Sequence, residues 1–170
     1  MRALAVLAVL LTSQPSPAPR GGPETSIEQQ RAALAREMVR LGTELRRELV
    51  SGDAAAILAR VPAAGLRCNR RVVPRAKVAR DLRTRGAWLH DALFARGKGA
   101  AGAPASLAEL LRTAPEVAVV VTFREDAASG PAGLPCLDYR APGVATPGAP
   151  LCFERQDGRW WLAESLYPCG

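Results

Sequence analysis

Apolar side chains recur at Ile27, Leu34, Met38, Leu41, Leu45 and Leu49, spaced by three, four or seven residues. A period of about 3.6 residues sets them on one stripe of an amphipathic helix. Ser26 stands three residues ahead of Gln29, so its hydroxyl can accept an orphan amide of the first turn while the glutamine reaches back, a capping box. Gly52 ends this helix, and Asp53 caps a second one from Ala54 to about Arg60, closed by Pro62. The segment "GLRCNRRVV" predicts one short strand leading to Pro74. Arg75 to Arg96 reads as a helical stretch with Val78, Leu82, Leu89 and Leu93 on one side, and Gly86 is the point at which it can divide. "GKGAAGAP", Gly97 to Pro104, predicts a flexible loop, and Ser106 caps a short helix to about Thr113.

Beyond Thr113 the texture changes. "EVAVVVTFRE", "PCLDYRAP" and "LCFERQDGRWWLAES" are rich in Val, Phe, Tyr and Trp and bounded by Gly and Pro, so they are read as three strands, the last interrupted by a turn. Asp157-Gly158 is the strongest local signal in the chain, because a type I′ hairpin needs positive φ at both central residues. Helices first and strands last predicts an α+β fold, with N-terminal helices packed on a curved antiparallel sheet formed mainly by the C-terminal strands.

Two of these segments carry a resemblance. "ELVSGDAAAILARV" and "FERQDGRWWLAES" look like the entry to the second helix and the closing hairpin of the NTF2-like superfamily, a cone-shaped α+β fold used by ketosteroid isomerase-type enzymes and by many binding domains. The resemblance implies a concave sheet wall on which a carboxylate or a tyrosine could act as acid or base. The basic helical region and the Gly97 to Pro104 loop enlarge the middle of the chain relative to that pattern.

The first residues bear on compartment. Arg2 is followed by the apolar run "ALAVLAVLL" and then by the polar, Pro-rich "TSQPSPAPRGGPE". Such an order predicts a signal peptide over residues 1–18, cleaved near Ala18, because a membrane-spanning helix needs about 20 apolar residues. Residues 19–24 read as a disordered leader and residues 25–170 as a single domain. The expected location is secreted or periplasmic.

Arginine supplies all but two of the 23 basic residues, the exceptions being Lys77 and Lys98. The +7 charge is concentrated between Arg67 and Arg85, where eight basic residues meet one acid, Asp81. Arg67, Arg70, Arg71, Arg75 and Lys77 are the candidate anion-binding residues, suited to lipid headgroups or envelope polymers. No aromatic residue interleaves with them, so nucleic acid is not the expected partner.

The one histidine, His90, precedes Asp91. On a continuous helix the two side chains point about 100° apart and do not meet, so His90 is expected to be a boundary residue of the core. It has no companion at metal-ligand spacing, and no cofactor is implied. No G-x-S-x-G elbow or phosphate-binding loop is present in the sequence. Parity around the Asp157-Gly158 turn sets Phe153 opposite Leu162 and Leu151 opposite Glu164, which directs Glu164 inward. Tyr139 joins that face if Leu137 pairs with Leu151. Tyr139 and Glu164, with His90, are therefore the pocket candidates.

The same parity addresses the four cysteines. It turns Cys136 and Cys152 to one face, directly opposite each other, and so predicts a disulfide between them. Cys68 is then left to Cys169. The functional expectation is an exported, non-catalytic binding or envelope-associated domain for an unidentified small ligand or envelope component. The alternatives are an isomerase- or lyase-type enzyme on an NTF2-like scaffold and a cationic binder of anionic surfaces.

Overall fold

The computed structural model describes residues 26–68, 71–125 and 129–164. The expected signal peptide and leader, Arg70 and Cys169 lie outside them. The fold is α+β. Helix α1 (Ile27–Ser51) and α2 (Ala54–Ala59) are followed by the strands β1 (Leu66–Cys68) and β2 (Arg71–Val73). Next come α3 (Arg75–Arg83), α4 (Trp88–Phe94) and α5 (Leu107–Thr113), and then β3 (Ala118–Arg124), β4 (Leu134–Arg140), β5 (Leu151–Gln156) and β6 (Arg159–Leu162). The last four form an antiparallel sheet in the order β3-β4-β5-β6.

Helix α1 begins and ends as its sequence dictates. Ser26 Oγ accepts from Gln29 N at 3.2 Å and Gln29 Oε1 accepts from Ser26 N at 3.0 Å, while Gly52 takes the left-handed conformation, φ 73°. Met38, Leu41, Leu45 and Leu49 are buried along its stripe. Ile27, at the outer end, is 46% exposed. Asp53 caps α2 by accepting from Ala55 N and Ala56 N.

In the middle of the chain one expectation is corrected and one, the division at Gly86, holds. "GLRCNRRVV" is a hairpin and not one strand: β1 pairs antiparallel with β2, Leu66 opposite Val73 and Cys68 opposite Arg71. The helical stretch divides into α3 and α4 around Gly86, whose φ of 85° no helix accommodates. Val78, Leu82, Leu89 and Leu93 remain buried, as their periodicity requires. The Gly97 to Pro104 loop folds on itself around a short 3₁₀ turn, Gly99 N donating to Ala103 O and Ala105 N to Gly97 O.

Within the sheet, α1 lies across β3 and β4 on one face. Val119, Val121, Leu137, Tyr139, Leu151, Phe153 and Leu162 point toward it and join the core of α1, α3, α4 and α5. Gly42 is where helix and sheet come closest: a Cβ built there would sit 2.7 Å from Val119 Cγ1. The opposite face carries a smaller buried cluster of Leu134, Cys136, Cys152 and Ala163. The register is the one parity predicts, with Cys136 opposite Cys152, Leu137 opposite Leu151, and Phe153 opposite Leu162. Cys136 and Cys152 are disulfide-bonded, with a Cα separation of 3.9 Å. Cys68 is not a free thiol, and its expected partner lies outside the described residues. Asp157 and Gly158 both have positive φ, 51° and 75°, the type I′ requirement.

Candidate functional site

The three pocket candidates do not converge. Tyr139 is 1% exposed and its hydroxyl donates to Gly42 O at 2.7 Å, fastening β4 to the middle of α1. Burial pushes the phenol well above its ordinary range, so it remains a neutral donor. Glu164 follows the end of β6, makes a bridge to Arg67 and pairs its carboxylate with Arg124. Arg124 stands on the face away from α1, since it alternates with Val119, Val121 and Phe123 along β3. The inward placement expected for Glu164 is thus corrected: the regular strand stops at Leu162, and an arginine holds the carboxylate at the surface.

His90 is half-buried at the edge of the core, as expected, but its expected separation from Asp91 is corrected. Its Nδ1 lies 3.1 Å from Asp91 Oδ1. Asp91 is in the first turn of α4, and its carboxylate also accepts from Gly86 N at 3.1 Å, so it is turned back over the helix start beside the His90 ring. These bonds, that from His90 first, hold the Asp91 carboxyl below its ordinary range. The His90 ring stacks edge-on against Phe94 at 5.8 Å. The pair thus closes the α3–α4 corner.

The basic candidates are largely spoken for. Arg67 Nε donates to Ala163 O and its Nη2 lies 3.6 Å from Glu154. Arg75 donates to Val61 O, and Lys77 pairs with Asp81 on the next turn of α3. Arg71 is exposed. The stretch therefore serves in large part to tie β1 and α3 to neighbouring segments.

Open space lies elsewhere. A groove of about 710 Å³ runs between the Gly97 to Pro104 loop, the end of α5 and the turn after β4, with Lys98, Ala103, Pro104, Glu109, Thr113 and Val144 among its lining. Such a volume falls in the range of small-molecule sites. Ser106, buried behind the groove, fixes the start of α5: its hydroxyl accepts from Glu109 N at 3.1 Å and donates to Ala95 O at 2.7 Å. Glu109 is gripped by Arg112, at 2.8 and 3.2 Å, and Arg112 reaches Val50 O at the end of α1. Its carboxyl is held below the ordinary range, first by the Arg112 hydrogen bond and then by the Gly97 amide and the Arg96 charge, against an opposing effect of desolvation. The stabilisation from this anion is present above its unfolded pKa and is lost as pH falls through the depressed folded value. Sequence reasoning noted Ser106 as a cap but missed the groove. The available signal was Glu109 three residues on, followed by Arg112 at i+3.

Among the described residues, no three His, Cys, Asp or Glu side chains are grouped to hold a metal ion, and no helix is long and apolar enough to cross a membrane. No protein-family model, curated protein or solved structure matches the chain.

Proposed function

We propose that this protein is an exported, non-catalytic binding domain whose ligand site is the groove beside α5. The observation that carries the reading is the location of open space. Between α1 and the sheet, Tyr139, Phe153, Met38, Leu45 and Leu137 are fully buried and pack into the core, and the smaller opening of about 350 Å³ at the outer end, lined by Leu34, Phe153 and Trp160, includes neither Tyr139 nor Glu164. The groove, in contrast, is open and mostly apolar, with charge at Lys98 and Glu109. Glu109 is committed to Arg112, and a carboxylate so held is a poor general base. An NTF2-like isomerase or lyase would need Tyr139 or Glu164 facing a cavity; hydrogen bonding and ion pairing occupy both. Export is supported by the Cys136–Cys152 disulfide, which persists in oxidising compartments, and by the apolar run after Arg2.

The ligand chemistry that fits is an apolar body bearing a polar group that can reach Lys98 and the Glu109–Arg112 pair. 8-Anilinonaphthalene-1-sulfonate has this character and serves as the probe. Its fluorescence rises with the native protein, and Ala103→Trp, which fills the groove, abolishes the rise while circular dichroism stays unchanged. Equal binding by the folded variant overturns the assignment.

A further inference from the structure

The two edges of the β3-β4-β5-β6 sheet are finished differently. At β6, Leu162 N donates to Arg60 O at 2.8 Å, Arg159 Nη2 donates to Ala59 O at 2.8 Å, and Glu164 bridges to Arg67 of β1. The chain's own α2–β1 segment therefore covers that edge. At β3, among the described residues, no strand follows.

Parity identifies which β3 groups face outward. Leu162 N points away from β5 and Ala163 N points to Cys152 O, so Phe153 and Leu162 are a pair that does not exchange hydrogen bonds. Alternation then makes Cys136–Cys152 a second such pair, and Cys136 turns its backbone groups to Thr122 of β3. Ala118, Val120, Thr122 and Arg124 consequently bond to β4, and the N–H and C=O of Val119, Val121 and Phe123 point out of the sheet. Among the described residues none of these groups has a hydrogen-bond partner.

An open edge of seven residues, "AVVVTFR", is unusual in what it lacks. It has no proline, lysine or bulge, the devices by which strands discourage edge-to-edge pairing, and its one charge is Arg124 at the end. It is also self-complementary. With a two-fold axis at Val121, Val121 faces Val121 of a second copy, Val119 faces Phe123, Val120 faces Thr122 and Ala118 faces Arg124. Each of the pairs Val121–Val121, Val119–Phe123 and Phe123–Val119 exchanges both of its N–H···O bonds. Cross-strand contacts between β-branched and aromatic side chains add to them. Glu116, exposed two residues ahead of Ala118, lies diagonal to the second copy's Arg124, a favourable charge placement.

We propose that β3 is a homodimerisation edge, joining two copies antiparallel through Val119–Phe123 into one continuous eight-stranded sheet. The groove beside α5 is not part of this edge, so the dimer stands independently of the proposed binding role.

Sedimentation velocity on the full chain and amide hydrogen exchange test it together. The expected result is a dimer in which the amides of Val119, Val121 and Phe123 exchange slowly. In Val120→Lys/Thr122→Lys, both changes lie on the solvent face and set lysines opposite each other across the two-fold axis. That variant should sediment as a monomer with unchanged circular dichroism and lose about tenfold or more of the protection at those amides. A native chain that is monomeric at all concentrations, or whose three outward amides exchange as fast as unpaired ones, overturns the proposal without reference to any variant. So does a folded double variant that remains dimeric.

Discussion

The two faces of the sheet are built from alternate residues of the same strands, yet different forces hold them. The face under α1 relies on size and fit: Leu137, Tyr139, Phe153 and Leu162 are at most 2% exposed and interlock with Met38, Leu45 and Leu49. The other face has a smaller buried cluster, which among the described residues is Leu134, Cys136, Cys152 and Ala163. It is fastened instead by a covalent bond and by ion pairs, Arg124 with Glu164 and Arg67 with Glu154. Packing resists the loss of volume poorly, whereas a crosslink is indifferent to volume and sensitive to redox state. The two faces should therefore fail under different treatments.

The largest effect is expected under α1. Phe153→Ala removes a fully buried ring and should cost about 3–5 kcal/mol, the transfer energy plus that of the cavity left behind. Urea denaturation at neutral pH measures it, and a cost below about 1.5 kcal/mol would place Phe153 outside the close-packed core. Next comes the staple of the other face. Cys136 and Cys152 are separated by 16 residues, and in the chain-entropy account a loop of about that length is worth about 3 kcal/mol. Cys136→Ala/Cys152→Ala should show that loss in non-reducing buffer. A mild reductant should destabilise the native protein and leave the double variant, as far as this bond is concerned, unchanged.

The disulfide of this second face was legible in the sequence, for a physical reason. Strand parity is a local property: once Asp157-Gly158 fixes the turn, alternation gives Phe153 opposite Leu162, and the inward placement of Leu137 and Leu151 turns both cysteines outward together. Helix caps are local too, and Ser26, Asp53 and Ser106 all act where expected. Errors arose where local pattern does not decide. β1 and β2, Leu66–Cys68 and Arg71–Val73, are too short to show a period. The fate of Glu164 depends on Arg124, some forty residues away in the chain. The His90–Asp91 contact depends on side-chain rotamers and on the Gly86 amide that draws the carboxylate back, which an angular count along the helix does not include. The groove escaped because one of its walls, Gly143 to Ala145, comes from a part of the chain well removed from the loop and helix that form the rest. Hydropathy patterns report what is buried, and a groove is made of what is not.

A smaller effect should come from the polar fastening within the packed face. Tyr139→Phe keeps the ring and deletes only the hydroxyl that donates to Gly42 O. The expected loss is about 1 kcal/mol, the usual net worth of one buried neutral hydrogen bond. Gly42→Ala probes the same contact from the helix side. Alanine favours helix by up to about 1 kcal/mol, but its methyl would meet Val119 Cγ1 at 2.7 Å, and overpacking costs about 1–3 kcal/mol. Net destabilisation is expected, and a stabilised variant would show that Val119 yields easily.

The smallest effect should lie among the ion pairs of the open face. Glu164 and Arg124 are 39% and 49% exposed, so water screens their attraction and both side chains give up rotamer freedom to meet. Glu164→Gln preserves shape and removes charge, and should change stability by no more than about 0.5 kcal/mol at low ionic strength. Raising the salt concentration should erase even that difference, because mobile ions screen exposed charges within about 3 Å at 1 M. Tyr139→Phe, whose lost bond is buried, should keep its deficit in the same salt. Denaturation of both variants at low and high salt makes the comparison. If the Glu164→Gln deficit exceeds that of Tyr139→Phe and persists in salt, the carboxylate is part of the structural fastening of the disulfide face and not a solvated surface pair.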